Sequence, residues 1–261
     1  MAIVQPRPAA AVALLRDRAD GVGFEVFMVR RHVRSEFVPD VFVFPGGSVD
    51  AGDREVEELA GRCMPGEFSA DTALGTGVRA AAIRELFEEA GVLLAYRADG
   101  RQLSMEALAL HRVNLQRRVI SLARLVEAEN LILATDRLTY FAHWITPEPL
   151  PKRFDTFFFL AHLPGSQQAT YDQLETTAGI WITPRLALER YGRNEFPLVF
   201  ATINQLRQLQ GYGEVSVAKA MDIARCTEVS TIMPRIVVRG DERIIVLPWD
   251  ADYVDQGDAG R

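Results

Sequence analysis

Glu85, Glu88 and Glu89 stand at i, i+3 and i+4 in the stretch Arg84-Glu85-Leu86-Phe87-Glu88-Glu89-Ala90-Gly91. On a helix, residues so spaced share one face, with Cβ atoms about 5–6 Å apart. Three anions in so small a volume repel one another unless a cation sits among them. Hard divalent cations take oxygen ligands, and a carboxylate cluster opposite a glycine-rich segment suits metal-assisted phosphate chemistry. The spacing alone also fits a solvated helix face. Like charges at i, i+4 cost only about a few tenths of a kcal/mol, and Glu85 and Glu89 could pair with Arg84 and its neighbours.

Residues 84–92 read Arg-Glu-hydrophobic-x-Glu-Glu-x-Gly-hydrophobic, which resembles the second half of the Nudix box. Its first half resembles Phe44-Pro45-Gly46-Gly47 followed by Asp53, with Asp where that family usually has Glu. About 30 residues separate Asp53 from Arg84, so the box is split by a long insertion. The split box, residues 82–94 after it, and the segments Ala142-His143-Trp144-Ile145-Thr146-Pro147 and Arg153-Phe154-Asp155-Thr156 are similar to one branch of the family. That branch is the peroxisomal coenzyme A diphosphatases and their bacterial relatives, and the similarity runs over residues 8–248.

The resemblance implies an α/β fold: a Nudix-type α/β/α sandwich with a mixed sheet, an insertion within the box and extra C-terminal helices. It implies hydrolysis of a pyrophosphate bond with Mg²⁺ or Mn²⁺ as cofactor. The expected substrate is coenzyme A or an acyl-CoA, giving adenosine 3′,5′-bisphosphate and 4′-phosphopantetheine or its acylated form. NADH and ADP-ribose are the alternative substrates, and a nucleotide-binding module without turnover is the alternative function. Glu88 and Glu89 would be metal ligands, and Glu85 would bind a metal or orient the water. The Gly46 carbonyl would complete the metal shell, since glycine permits close approach. Arg84 would hold a carboxylate of the loop or helix in place, or else contact a phosphate directly. One further carboxylate from a later loop is expected at Glu175, with Asp172 as the alternative. Arg153 and Asp155 would belong to the substrate wall, or else form a salt bridge at a sheet edge. Arg30, Arg31 and Arg34 cluster before the Gly-Gly pair and could meet a 3′-phosphate or adenine, Arg being suited to bidentate phosphate contacts. A solvated basic loop fits them as well.

Other patterns carry less. Gly75-Thr76-Gly77-Val78-Arg79-Ala80 fits a dinucleotide fingerprint, but no strand precedes it. Arg239-Gly240-Asp241 reads as a hairpin turn, and the four histidines show no metal-ligand spacing. Cys63 and Cys226 are isolated, as expected in a reducing compartment. A net charge of −6, from 29 basic and 35 acidic residues, argues against nucleic acid as partner. A small anionic nucleotide stays compatible, because bound cations invert local electrostatics. No apolar run reaches the roughly 18 residues of a membrane span. The termini lack a secretory signal and a Ser-Lys-Leu ending, which points to the cytoplasm. A homodimer stays open.

The elements that must position this chemistry follow from periodicity. Strands are expected at 9–15, 24–29, 41–44, 92–96, 138–145, 154–162 and 178–182. The carboxylate helix is expected over 78–90 with Gly91 as C-cap. One or two helices fall within 104–129, and a short one follows Pro184. Two more are expected at 196–209 and 215–224, before a hairpin at 235–238 and 243–247. The insertion, about 54–76, reads as a surface excursion with one short helix near 55–60. No linker is evident, so one elaborated domain is expected, with a core over about 8–190 and an extension over about 191–250.

Overall fold

The computed structural model describes residues 3–35, 38–65, 74–97, 99–101, 103–172, 174–239 and 242–253. Its centre is strand β1 (Arg7–Asp17), in which Ala9 to Leu15 are all buried. Burial on both faces is why this strand shows a continuous apolar run instead of alternation. Ala10, Val12 and Leu14 enter one core cluster, and Ala11, Ala13 and Leu15 the other. The turn after β1 returns β2 (Phe24–Arg31) antiparallel, with Leu15 opposite Val26, and β3 (Phe42–Val43) pairs outside β2. Gly46 and Gly47, expected in a loop, form strand β4 (Gly46–Ser48), antiparallel to the start of β1. Glycine makes this pairing possible, since a Cβ at Gly46 would lie 2.7 Å from the Ala11 Cα.

Helix α1 (Ala51–Glu58) starts earlier than the short helix expected near 55–60. Asp50 caps it: its Oδ1 accepts from the Asp53 N–H at 3.1 Å, and Asp53 accepts from the Asp50 N–H at 2.9 Å. Asp thus fills both places of a capping box more often built from Ser or Thr and Glu, so its signal is weak in sequence. Residues 66–73 of the insertion lie outside the described residues. Helix α2 (Val78–Ala90) then carries the carboxylates, and Gly91 ends it with φ +71° and an N–H donating to the Phe87 carbonyl. No side chain of α2 caps its own start. Glu57 of α1 does so instead, accepting from the Gly77 N–H at 2.7 Å and the Ala80 N–H at 2.9 Å.

Strand β5 (Ala95–Arg97), helices α3 (Met105–Gln116) and α4 (Leu122–Ala128), and strand β6 (Leu131–Leu133) follow, with β5 and β6 paired in a small separate sheet. Ser104 and Ser121 cap the two helices. Strands β7 (Thr139–Ile145) and β8 (Phe154–His162) return to the main sheet, β8 lying parallel to β1 from Arg7 opposite Phe154 to Leu15 opposite His162. Strand β9 (Thr176–Ile182) pairs with β2. Helix α5 (Pro184–Gly192) begins with Thr183 as cap and Pro184 in the first turn. Helices α6 (Phe200–Gly211) and α7 (Val217–Arg225) precede strand β10 (Thr231–Ile232), which adds to β7, and the hairpin β11 (Arg235–Arg239) and β12 (Glu242–Val246). The expected Gly240-Asp241 turn lies outside the described residues.

The result is a mixed sheet ordered β10-β7-β8-β1-β2-β3, with β4 beside β1 and β9 beside β2. One core cluster joins it to α2, α3 and α4, and the other joins it to α5, α6 and α7, giving the expected α/β/α layering. No described helix is long and apolar enough to cross a membrane.

Arg153 and Asp155, expected at the substrate wall or else in a salt bridge at a sheet edge, have partners within the fold. Arg153 is 5% exposed and donates to the Thr146 carbonyl at 3.0 Å and the Val4 carbonyl at 2.6 Å, with Met233 Sδ at 3.6 Å. Asp155 meets His143 Nε2 at 2.5 Å, and Thr231 Oγ1 lies 2.9 Å from His143 Nδ1, so these side chains stitch β10, β7 and β8 together. Replacing Arg153 by Met would leave the Thr146 and Val4 carbonyls without this donor. Arg153→Met should cost about 2–4 kcal/mol of stability in urea unfolding, and an unchanged midpoint would refute this bracing role.

Candidate active site

A cleft of about 1150 Å³ opens over β4. Gly46, Gly47, Glu85, Glu88, Glu89 and Glu175 all line it. Helix α2 lies across β1 and β4, so the face bearing its three glutamates meets the Gly-Gly strand. The fit is close: a Cβ at Gly47 would lie 2.6 Å from the Glu85 Cδ. Gly46 donates its N–H to Glu89 Oε2 at 3.0 Å. Val12 N–H to Pro45 O and Val49 N–H to Pro8 O set the β1–β4 ladder. Its alternation turns the polar groups of Gly46 away from β1, so the carbonyl faces the same side as the N–H bonded to Glu89.

Arg84 organises the carboxylates. Its Nε and Nη2 grip both oxygens of Asp53 at 2.9 Å, and Nη2 also donates to the Ser48 carbonyl at 2.8 Å. Its Nη1 reaches Glu85 Oε1 at 2.8 Å and Glu88 Oε2 at 3.2 Å. Asp53 is fully buried and Arg84 nearly so. A bidentate Arg–carboxylate pair fixes both orientation and distance. Burial works against the guanidinium charge, yet Glu85, Asp53 and Glu88 raise its pKa above the ordinary value.

The site holds more negative charge than Arg84 offsets. Burial pushes Glu88 up to about 7, with repulsion from Glu85, Asp53 and Glu175 adding to it and Arg84 opposing. Glu89 is raised well above the usual carboxylate range by burial and by Glu85, against its bond from Gly46 and the charge of Arg31. Glu85 is raised by burial, against Arg84. Among the described residues no three His, Cys, Asp or Glu side chains stand together as a ready metal cage. Arg84 draws Glu85 and Glu88 one way, while Gly46 holds Glu89.

The C-terminal end of α2 is clamped by residues that sequence reading missed. Arg112 of α3 donates to the Glu88 carbonyl at 2.9 Å and the Glu89 carbonyl at 3.0 Å. It also bonds the Thr170 carbonyl at 2.7 Å and Thr170 Oγ1 at 3.0 Å, while Gln116 donates to the Glu88 carbonyl at 2.6 Å. A cation at a helix C-terminus satisfies orphan carbonyls and complements the dipole. Their i, i+4 spacing on α3 was visible, but nothing in it named a partner.

The remaining candidates separate. Glu175 lines the cleft, and its charge contributes to the raised values of Glu85, Glu88 and Glu89. Asp172 also lines it, but its carboxylate accepts from the Leu174, Glu175 and Thr176 N–H groups and from Thr176 Oγ1, so it shapes the loop that presents Glu175. Arg31 lines the cleft. Arg30 pairs with Asp40 at 2.9 Å and, like Arg34, lies outside the lining, as do Arg153 and Asp155.

A layered fold with a carboxylate helix braced against a Gly-Gly strand defines a class, and comparison with known proteins agrees. Residues 60–209 match the family model described as the NUDT19 Nudix domain, and the chain belongs to that family. It is therefore a Nudix hydrolase, an enzyme class that generally needs divalent metal ions. It is 26% identical over 278 residues to the acyl-coenzyme A diphosphatase NUDT19 of Xenopus laevis, covering 90% of this chain and 73% of the relative. It is 27% identical over 277 residues to the human protein of the same name, covering 90% and 74%. A Nudix hydrolase crystal structure from Alicyclobacillus acidocaldarius superposes with a TM-score of 0.73 at 27% identity, covering 85% of this chain and 97% of that one.

A carboxyl group whose folded-state pKa exceeds its unfolded value stabilises the fold while protonated. For Glu88 this contribution is complete below about 4.5 and is lost as pH rises through about 7. In EDTA, Tm should fall from about pH 5 to about pH 8, less steeply in Glu88→Gln. Divalent metal should raise Tm more at the higher pH, because it competes with protons for the same oxygens. A metal-induced shift independent of pH would contradict this.

Proposed function

We propose that this enzyme cleaves the pyrophosphate of coenzyme A or its acyl thioesters, using Mg²⁺ or Mn²⁺ held by Glu85, Glu88, Glu89 and the Gly46 carbonyl. The observation that carries the reading is the buried carboxylate set braced by Arg84 against the Gly-Gly strand. Such a set fits a hard cation in three ways. Its donors are oxygens. Their pKa values are raised by burial and mutual repulsion, which a dication would relieve. And the Gly46 carbonyl faces the carboxylate side. A bound metal supplies Lewis acidity toward phosphoryl oxygens and lowers the pKa of water. The chain's own part is to hold, orient and take protons. Arg84 fixes Glu85 and Glu88, and Asp53 fixes Arg84. Glu175 reaches the cleft from the β8–β9 loop and is our candidate for the carboxylate that accepts the proton of the attacking water. Water adds to phosphorus, the bridging P–O bond breaks, and the leaving phosphate departs.

Arg31 is our candidate partner for the 3′-phosphate that distinguishes coenzyme A from dephospho-CoA. The diphosphatase names of the NUDT19 relatives from frog and human support this substrate class. A binding module without turnover fits less well, because the full glutamate set is present. Glu88→Gln should lower kcat about a hundredfold or more, with the fold at least as stable in EDTA. Wild-type kcat in that variant would remove Glu88 from the metal shell. Coenzyme A should exceed dephospho-CoA in kcat/KM by about tenfold or more, and Arg31→Ala should erase most of that difference. Brisk hydrolysis of ADP-ribose or NADH with none of coenzyme A would replace the proposed substrate.

A further inference from the structure

Among the described residues, the lining contributed by β7, β8, α6, β11 and β12 carries no charge. The anionic groups of a substrate are therefore met at the carboxylate end of the cleft. Three described cations line it: Arg31, Arg84 and Arg118. Arg84 is committed to Asp53, Glu85 and Glu88. Arg31 donates to Ser35 Oγ at 2.9 and 3.2 Å. Arg118 stands on the α3–α4 loop, and among the described residues its guanidinium has no hydrogen-bond, ion-pair or ring partner. Its charge is not among those acting most strongly on Glu85, Glu88 or Glu89, so the carboxylates do not tie it up.

The backbone of Arg118 is also unusual. Five described non-glycine residues have positive φ, and three of them are Asp or Asn, which tolerate that conformation. The other two, Val38 at +43° and Arg118 at +55°, both line the cleft. Strained backbone of this kind gathers at functional sites. Here it is held by bonds from the Arg118 N–H to the Leu115 carbonyl and from the Val119 N–H to the Asn114 carbonyl, both at 2.8 Å. The loop is anchored at the site on both sides. Gln116 donates to the Glu88 carbonyl, and Ser121 packs so closely on the first turn of α1 that a Cβ at Gly52 would lie 3.0 Å from its own Cβ.

We infer that Arg118 contacts the pyrophosphate and stabilises the negative charge that develops as it is cleaved. The inference rests on the pyrophosphate cleavage proposed above and adds a catalytic residue to it, whichever group the pyrophosphate carries. When water adds to one phosphorus, its proton passes to the carboxylate base. The electron pair of the bridging P–O bond goes to the leaving phosphate, and charge gathers on the phosphoryl oxygens. A guanidinium presents a planar fork that meets two such oxygens at once. Charge placed in advance where it is needed is the main device of phosphoryl transfer. Arg118 suits that role because its backbone is fixed beside α2 while its guanidinium is unengaged. An arginine kept for the fold alone would have a protein partner, and a merely solvated one would not need a left-handed backbone at the cleft.

The test measures kcat and KM of Arg118→Gln, Arg118→Lys and Arg118→Gly on coenzyme A and dephospho-CoA. In Arg118→Gln, kcat should fall about ten- to hundredfold, by the same factor on both compounds, because both carry the pyrophosphate. Arg118→Lys keeps the charge without the fork and should recover part of the loss. Arg118→Gly removes the side chain and relieves the left-handed backbone, so its Tm should equal or exceed that of the wild type while kcat falls as in Arg118→Gln. Mn²⁺ should raise Tm equally in the wild type and Arg118→Gln, since Arg118 does not hold the metal. Unchanged kcat in Arg118→Gln, or a loss on coenzyme A that spares dephospho-CoA, overturns the inference. So does a Tm of Arg118→Gly well below that of the wild type, which would make the arginine part of the fold. If the wild type cleaves ADP-ribose and no coenzyme A compound, the substrate reading fails, and the same loss on ADP-ribose in Arg118→Gln still upholds the inference.

Discussion

The grip of Arg84 on Asp53 is the interaction on which the site depends. Asp53 precedes the insertion and Arg84 follows it, so their two bonds at 2.9 Å close a loop of about 30 residues. The closure is possible because loop entropy grows slowly: each doubling of length costs only about 0.6 kcal/mol. A buried ion pair must be well satisfied to be tolerated. Here Asp53 also accepts from the Asp50 N–H, and Arg84 also donates to the Ser48 carbonyl, Glu85 and Glu88. Helix α1 is therefore tied to α2 twice, at Asp53–Arg84 and where Glu57 caps the start of α2.

The same helix is held from its other end by α3. Arg112 satisfies the Glu88 and Glu89 carbonyls and continues to Thr170, in the loop that carries Glu175. One guanidinium thus couples the backbone of two glutamates to the segment presenting a third. Side chains on a helix fixed at both ends are held in place in advance, and such preorganisation is where much of the rate of phosphoryl chemistry originates. The cost is a concentration of negative charge that Arg84 alone does not offset, visible in the raised values of Glu85, Glu88 and Glu89. That imbalance separates this helix from a solvated acidic face, where exposure to water would leave each carboxylate near its usual value.

What the sequence revealed was periodic and local. Helix α2 was legible because its carboxylates repeat at 3.6-residue spacing and Gly91 follows at the C-cap. Strand β1 was legible because both its faces are buried. Long-range partners were not: Glu57, Arg112 and Gln116 are polar residues on helix surfaces, and only the fold brings their side chains to backbone groups of α2. Strand β8 shows how a correct motif can mislead about its residues. Side chains alternate along a strand, so Phe154, Thr156 and Phe158 face the cleft, while Asp155 on the opposite face meets His143. Arg153, just before the strand, turns inward to brace residues from both ends of the chain. The segment lines the cleft by the residues between the charged ones. Period alone could not choose the face, because Phe157 and Phe159 make that opposite face apolar as well.

The C-terminal elements complete an arrangement that the carboxylate side alone would leave open. Without α5, α6 and α7, the face of the sheet bearing Ala11, Phe158, Leu160 and Trp144 would lie bare. Their apolar sides turn a two-layer fold into a sandwich and bury that face except where the cleft enters. The entry lies at β4, which spans only Gly46 to Ser48. The glycines that admit the glutamates on one side of β4 also keep the strand close against Ala10 and Ala11, so one compact edge serves both ends of the cavity.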